Sequence, residues 1–220
     1  MQICVTSLFN LDKTIFKDYL SNFDTPWLAL SGIKEYISEL GKSLPSDKYK
    51  QISENVWVAK SASISPTAHI GGFCIIDEGA EIRHGAFIRS SAIVGKGAVV
   101  GNSTELKNCI LFDSVQVPHF NYVGDSILGY KAHLGAGAVT SNVKSDKSTV
   151  TVKTNTGRIE TGLKKFGAII GDYSEVGCNT VLCPGTVLGR NVTVYPTSMV
   201  RGFVRENSIF KNDSKITDKR

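Results

Sequence analysis

The chain has 220 residues, of which 41% are hydrophobic and 20% are charged, and its formal net charge is +5. These values are typical of a soluble globular protein with one or two domains. No apolar run approaches the ~18 residues that a membrane-spanning helix needs. The N-terminal sequence also lacks the basic leader and apolar core of a secretory signal. We therefore expect a cytoplasmic protein that does not bind membranes and whose five cysteines are reduced.

The first fifty residues predict short helices. Ile15, Tyr19 and Phe23 follow one another at intervals of four, the spacing of one face of a helix. We predict an amphipathic helix over Leu11–Phe23, with Asn10 as its N-cap.

A second helix is predicted from about Ser31 to Leu40, with Gly41 as its C-cap. Two short helices cannot build a large core alone. We therefore expect residues 1–52 to form a helical cap over the open end of the next element. Trp27 and Trp57 are predicted to be buried at that junction.

From Val58 onward the sequence repeats every six residues. Apolar side chains occupy ten successive positions of this period: Val58, Ile64, Ile70, Ile76, Ile82, Ile88, Val94, Val100, Leu106 and Phe112. Small residues follow four places after them: Ala62, Ala68, Cys74, Ala80, Ala86, Ala92, Ala98 and Thr104.

This period of six fits neither a helix, which repeats near 3.6 residues, nor a lone strand, which repeats near 2. It indicates coils of three short strands, that is, an all-β parallel β-helix of hexapeptide repeats. A β-sandwich is the alternative, but sandwiches show no fixed period over such a length. Glycine often follows the aliphatic position, as at Gly71 and Gly101, and we assign it to the turn.

The repeat is interrupted at residues 113–124 and again at residues 140–167, and it continues to Val200. We predict a β-helix over residues 53–204 with insertions at these two places, followed by a polar tail over residues 205–220. Insertions in a solenoid project from one face and often carry function. The two are therefore expected to frame one site.

The second interruption is basic. Residues 141–166 contain six lysine or arginine residues and two acidic residues, which suggests an anionic partner. Nucleic acid is disfavoured because no aromatic residues for base stacking are interleaved. A small phosphorylated ligand fits better, and a solvated loop with surface lysines remains the alternative.

His119, in the first interruption, is the candidate catalytic residue. An imidazole with an ordinary pKa near ~6.5 suits a general base at neutral pH, although a lone loop histidine is more often a plain surface residue. The histidine spacings, 15 residues from His69 to His84 and 14 from His119 to His133, do not match the ~18 residues of one coil. A metal site is therefore only weakly supported.

Four blocks, in order, resemble one known family. They are VGNSTELKN, VPHFNYVGDSILG, LGAGAVTSNV and TGLKKFGAIIGDYSEVGCNTVLCPGTVLG. Over roughly residues 56–204 they resemble the acetyltransferase half of the bifunctional sugar nucleotidyltransferase/acetyltransferases. The resemblance implies a left-handed parallel β-helix with a small N-terminal helical region, assembled as a homotrimer. It also implies acetyl-CoA as co-substrate and no tightly bound metal.

The resemblance assigns roles to individual residues. His119 matches the general base, and Asn142 matches an asparagine that binds the sugar near the acetyl group. Sugar-phosphate contacts are implied at Arg89, Lys107, Tyr122 and Lys147. Coenzyme contacts are implied at Ala136, Cys178 and Pro196. Arg89 and Lys107 are 18 residues apart, so we expect them to stack on neighbouring coils.

Three positions depart from the family pattern. His133 stands in place of an asparagine, Cys178 in place of a serine, and Pro196 in place of an alanine. The donor site is thus altered more than the acceptor site.

Two functions remain open. The first is acetyl-CoA-dependent N-acetylation of an amino-sugar 1-phosphate, with glucosamine 1-phosphate as first choice, in the biosynthesis of sugar nucleotides such as UDP-N-acetylglucosamine. The second is a non-catalytic module that binds a sugar phosphate or sugar nucleotide. Nucleotidyl transfer is not expected from this chain, since residues 1–55 do not resemble the nucleotidyltransferase domain and could not hold it.

Overall fold

The computed structural model describes residues 3–212 and 214–219. Its strands form coils with three sides, and equivalent strands of successive coils pair in parallel. We call the three sides faces A, B and C. The predicted all-β parallel β-helix of hexapeptide repeats, with a small N-terminal helical region, is confirmed.

Each face has its own column of strands. Face A contains Val56–Ala59, Cys74–Ile76, Ala168–Ile170, Thr186–Leu188 and Phe203–Val204. Face B contains Ser63–Ile64, Glu81–Ile82, Val99–Asn102, Gln116–His119, His133–Leu134, Glu175–Val176, Thr193–Val194 and Ser208–Phe210. Face C contains His69–Ile70, Val139–Thr140, Val181–Leu182 and Met199–Val200. Three longer strands run from face C around a corner into face A: Phe87–Val94, Glu105–Leu111 and Tyr122–Leu128.

Face A is buried on both sides. Its inner aliphatic column continues the hexapeptide ladder. Its outer column is also aliphatic, in register and fully buried, and consists of Ile75, Ile93, Ile110, Ile127, Ile169 and Val187. The N-terminal helices cover this outer column: the α-helices Val5–Leu8, Lys17–Leu20 and Ile33–Ser43 and the 3-10 helices Leu11–Lys13 and Pro26–Ser31.

The N-terminal helices lie along face A, whereas we predicted that they would cover the open end of the first coil; the strand Tyr49–Ser53 pairs at that end instead. The Asn108 side chain donates to Leu30 O at 3.1 Å, and Asn10 N donates to the Asp172 carboxylate at 2.7 Å. Asn108 and Asp172 belong to coils that are two apart along the axis, so the helices run along face A.

Antiparallel strand pairs stand at both ends of the β-helix. Tyr49–Ser53 pairs with Val56–Ala59, and Ile216–Asp218 pairs with Ser208–Phe210. The predicted polar tail therefore contains ordered strands. The division of the chain at residues 52 and 204 stays a prediction.

The predicted continuous helix over Leu11–Phe23 is wrong. The structure has two short helices there, and Thr14 between them is extended. The Thr14 hydroxyl accepts a hydrogen bond from Phe16 N at 3.2 Å, a local bond that competes with helix formation. Asn10 caps the first of the two short helices, with its side chain accepting from Asp12 N at 3.1 Å.

Gly41 was predicted as a C-cap but lies inside the helix Ile33–Ser43. A Cβ atom built on Gly41 would be 2.2 Å from the Trp57 ring, so the tryptophan packs directly on the glycine backbone. Trp27 is buried as well, against Phe166 with 5.9 Å between ring centroids. The predicted burial of both tryptophans is confirmed.

Glycine after the aliphatic position has a different role from the one we assigned. Gly101 is not in the left-handed region; a Cβ there would lie 1.6 Å from Pro118 O on the next coil. Close approach of the coils therefore selects glycine. The left-handed turn residue comes two places later in the hexad, as at Ser103 with φ 52°.

Residues 113–124 are not an insertion. Val117 pairs with Val100 and Val123 pairs with Leu106, so this stretch is a regular part of a coil. The period slips because the preceding corner is one residue short, which brings Leu111 rather than Phe112 into register with Val94.

The second insertion is real. It lies between Val139–Thr140 and Ala168–Ile170 and contains an antiparallel hairpin of Thr151–Thr154 and Gly157–Glu160. Its fully buried side chains are Val150, Val152 and Phe166. The base of the hairpin therefore packs on the chain's own coils.

Candidate functional site

The corner between faces C and A is built by left-handed residues on three successive coils. Ser91, Asn108 and Asp125 have φ values of 54°, 49° and 48°. Asparagine and aspartate tolerate this conformation better than other residues with a Cβ atom. The turn aims the side chains of Asn108 and Asp125 at each other.

Asp125 is the centre of a polar cluster at this corner. Its side chain is only 5% exposed and accepts hydrogen bonds from Lys107 Nζ at 3.1 and 3.0 Å. Asn108 Nδ2 donates to the same carboxylate at 2.9 Å, and Asn142 Nδ2 donates to its second oxygen. Three donors therefore converge on one buried carboxylate, which fixes the position of each donor.

Tyr122 joins the cluster from the middle of face C. Its ring lies over Gly124, where a Cβ would be 2.4 Å from the tyrosine hydroxyl. That hydroxyl accepts a hydrogen bond from Asn142 Nδ2 at 3.2 Å. Burial, and then the nearby Asp125 carboxylate, raise the pKa of Tyr122, so it stays protonated near neutral pH.

The structure thus brings Lys107, Tyr122 and Asn142 together. It adds Asp125 and Asn108, which the sequence analysis did not select. Their signal was visible in part, since Asp125 follows Gly124 in a matched motif. Its burial depends on the corner and could not be read from the pattern.

Arg89 lies beside this cluster rather than in it. It sits at an irregularity where Ser90, not Arg89, pairs with Lys107. The predicted stacking of Arg89 on Lys107 is therefore wrong by one residue. Its side chain is 56% exposed, and its guanidinium is 3.4 Å from the Glu105 carboxylate.

Lys147 is not brought to the cluster by any contact. It occupies an exposed left-handed turn with φ 56°, and its N–H donates to Lys144 O at 2.9 Å. In the described part of the chain its ammonium group forms no hydrogen bond or ion pair.

His119 lies at the opposite edge of face C, at the corner with face B. Gly137 N donates to His119 O at 3.0 Å, which places Ala136 over it on the next coil. The same row continues through Cys178 and Pro196. Asn179 N donates to Ala136 O, and Thr197 N donates to Cys178 O, both at 2.8 Å. The proposed base and the three proposed coenzyme positions therefore form one line parallel to the axis.

The two edges of face C are a few residues apart on the same coil. Lys107 pairs with Gly124, which is five residues after His119 on the same coil. At an extended rise of ~3.4 Å per residue, the Cα atoms of His119 and Gly124 are at most about 17 Å apart. Long side chains at both edges shorten the gap.

The His119 side chain is exposed, and within residues 3–212 and 214–219 its imidazole makes no hydrogen bond. His133 lies apart on face B, with Nδ1 at 2.8 Å from the Glu175 carboxylate.

Among the described residues no group of three or more His, Cys, Asp or Glu side chains could hold a metal ion. Nor does that part of the chain contain a helix long and apolar enough to cross a bilayer.

The cysteines are free thiols. Cys74, Cys109 and Cys183 are buried, Cys4 is half-buried and Cys178 is exposed. Burial raises the pKa of Cys74 to about 12, so this thiol is inert at neutral pH. Only Cys178, in the His119 row, presents an open thiol surface near the candidate site.

Comparisons with known proteins agree with the resemblance seen in the sequence. A family described as the GMPPB C-terminal domain matches residues 70–163. The bifunctional protein GlmU of Methanococcus maripaludis is 30% identical over 207 residues, covering 93% of this chain and 50% of that protein. The bifunctional sugar-1-phosphate nucleotidylyltransferase/acetyltransferase of Sulfurisphaera tokodaii is 33% identical over 109 residues, which cover 50% of this chain and 27% of that protein.

Among solved structures, the Francisella novicida UDP-N-acetylglucosamine acyltransferase has a TM-score of 0.49 at 14% identity, covering 76% of this chain and 66% of that one. The resemblance to the bifunctional nucleotidyltransferase/acetyltransferases is confirmed by the sequence matches. The chain spans about half the length of the Methanococcus maripaludis relative.

Proposed function

We propose that this chain, a relative of the bifunctional sugar nucleotidyltransferase/acetyltransferases, is an acyltransferase that moves an acetyl group from coenzyme A to the amine of an amino-sugar 1-phosphate. Glucosamine 1-phosphate is the first choice. The observation that carries the proposal is the layout of face C. The row that begins at His119 and continues through Ala136, Cys178 and Pro196 lines one edge. The cluster of Lys107, Tyr122 and Asn142 lines the other.

The acceptor lies across face C. Its phosphate is held by Lys107 and Arg89, since charge-assisted donors suit phosphate, and Tyr122 and Asn142 contact the sugar. This orientation directs the amine toward His119. The acetyl thioester enters along the row of Ala136, Cys178 and Pro196.

The reaction is an addition followed by an elimination. His119 takes a proton from the amine as its nitrogen attacks the thioester carbonyl, forming the C–N bond. The Ala136 N–H donates to no group of the described chain, so it is available to stabilise the oxyanion of the tetrahedral intermediate. The C–S bond then breaks, and the proton held by His119 passes to the departing sulfur, which leaves as the thiol of coenzyme A.

Face C also supports the proposed homotrimer. Its outer column runs in register through His69, Phe87, Glu105, Tyr122, Val139, Val181 and Met199. Within it Phe87, Val181 and Met199 are 40%, 38% and 63% exposed. Val181 and Met199 are neighbours in this column, and adjoining exposed apolar side chains mark an interaction surface. We assign it to neighbouring copies of the chain, which would shield the site from water.

The test is release of coenzyme A thiol from acetyl-CoA with a panel of amino-sugar phosphates. His119→Ala should lower the rate with the best acceptor by about 10²–10⁴, the range of a general base. His84→Ala is the matched control, because His84 is also exposed at the edge of face B and hydrogen-bonds Thr67 instead. Equal background rates for wild type and His119→Ala on every acceptor would refute the proposal.

A second candidate function follows from the lack of a hydrogen-bond partner for the His119 imidazole in the described part of the chain. General bases are usually oriented by a third group, and His119 has none in the described part of the chain. A module that binds a sugar phosphate or sugar nucleotide without turnover would need no such group. Calorimetry separates the two, because that module should bind the sugar ligand and fail to bind coenzyme A.

A further inference from the structure

A second basic site lies beside the proposed acceptor cluster. A cavity of about 420 Å³ opens between the basic insertion and the corner of face C. Lys144, Lys153 and Arg201 line it together with Ser141, Cys183 and Asp146. Ser141 directly precedes Asn142, so the cavity adjoins the acceptor cluster along the axis.

The walls of this cavity are held in place by packing. Val152, next to Lys153, is fully buried. The backbone of Lys153 lies close to Gly202, where an added Cβ would be 2.6 Å from Lys153 O. The strand that carries Lys153 is therefore fixed against the coil that carries Arg201. Two cations from distant parts of the sequence therefore line the same cavity.

The charges of the cavity are not balanced within the chain. Lys144 Nζ is 3.7 Å from the Asp146 carboxylate and also donates to Thr149 O at 3.3 Å. Lys153 and Arg201 have no carboxylate partner among the described residues, and Arg201 has only the Cys183 sulfur at 3.9 Å from its guanidinium. Two cations without counter-ions beside hydroxyl donors form a site for an anion with several oxygens.

We propose that this cavity binds a phosphate group of a reaction partner, with Lys153 and Arg201 as the principal contacts. The proposal rests on the proposed acyl transfer and adds a phosphate site on the insertion, distinct from Lys107. The phosphate has two possible sources, the acceptor sugar phosphate and the phosphates of coenzyme A. The cavity volume falls within the range of small-ligand sites.

The first experiment is calorimetry with inorganic pyrophosphate, which does not depend on turnover. Wild type should bind it, and Lys153→Ala and Arg201→Ala should each raise the Kd at least tenfold. Lys164→Ala is the matched control, since Lys164 is an exposed lysine of the same insertion outside the cavity, and its Kd should equal that of wild type. No binding by wild type, or equal Kd values for all four proteins, would overturn the proposal.

A second readout locates the ligand. Ser145 is exposed and lines the cavity, so pyrophosphate should slow alkylation by iodoacetamide of the thiol introduced by Ser145→Cys, as measured by peptide mass spectrometry. Alkylation of Cys178, which is exposed outside the cavity, should not slow. Protection of neither thiol would contradict this location. Competition then identifies the source: displacement of pyrophosphate by coenzyme A assigns the cavity to the donor, and displacement by glucosamine 1-phosphate assigns it to the acceptor. If pyrophosphate binds but no acyl transfer occurs, the anion site stands and only the proposed activity fails.

Discussion

Replacement of Asp125 by asparagine tests whether this carboxylate organises the acceptor cluster. Asp125→Asn keeps the size of the side chain and removes the charge that Lys107, Asn108 and Asn142 all contact. Removing one partner of a buried ion pair costs about 3–5 kcal/mol. Lys107 retains 22% exposure and can recover part of its hydration, so we expect a loss of about 3 kcal/mol of unfolding free energy.

The assay is urea denaturation at one fixed protein concentration, because assembly would make the apparent stability concentration-dependent. Lys107→Met and the double variant complete a cycle, in which the coupling between the two side chains should be about 2 kcal/mol. The control is Glu105→Gln, which breaks the exposed Arg89–Glu105 pair on the neighbouring strand and should change stability by no more than about 0.5 kcal/mol. A loss below that value for Asp125→Asn, or no coupling to Lys107, would refute the reasoning.

Three further predictions concern the fold and the assembly. Gly41→Ala should destabilise the protein by about 2 kcal/mol in urea denaturation, because the new Cβ would lie 2.2 Å from the Trp57 ring. Replacing glycine by alanine inside a helix usually stabilises it, so a gain in stability would contradict the close packing of Trp57 on Gly41. Burial raises the pKa of Asp172 above its ordinary 3.8, so the native state binds this proton more tightly than the unfolded chain. The stabilisation from this proton is complete below pH 3.8 and is lost as the pH rises through the raised pKa of Asp172. The unfolding free energy of wild type should show this decline with pH, and that of Asp172→Asn should lack it. Parallel pH curves for the two proteins would contradict this prediction. Met199→Glu should reduce the mass measured by light scattering from that of a trimer to that of a monomer. The control is Leu28→Glu, which changes an apolar side chain that is 44% exposed on the N-terminal region and should leave the trimer intact. A monomeric wild type would contradict the proposed trimer.

The period of six was sufficient to predict the coils. Inward side chains of successive coils pack on one another, so each coil needs an apolar residue at the same position. The pattern also contains a second signal. Adjacent aliphatic pairs recur on face A, such as Ile75 with Ile76 and Ile93 with Val94. Two apolar neighbours in a strand point to opposite sides, so the pairs indicate that face A is covered on its outer side.

The candidate site was less accessible to sequence reasoning. The motifs selected Lys107, Tyr122 and Asn142, but not the carboxylate that joins them. Asp125 is buried because a left-handed corner turns it toward Asn108, and corner geometry depends on the coil below. The slip of one residue before Leu111 had the same origin. The corner before Leu111 has one residue fewer than the corner of the preceding coil. The shift in the period that this causes resembled an insertion at residues 113–124, because the register is seen only in the strand pairing.

In the proposed reaction, His119 removes the amine proton during acetyl transfer. The most direct measurement incubates the purified protein with glucosamine 1-phosphate and acetyl-CoA labelled with ¹³C in the acetyl group, and follows the labelled amide by NMR. We predict a new N-acetyl resonance with wild type and with His84→Ala, and none above background with His119→Ala. An N-acetyl product formed equally fast by His119→Ala, or no product from wild type, would contradict the account.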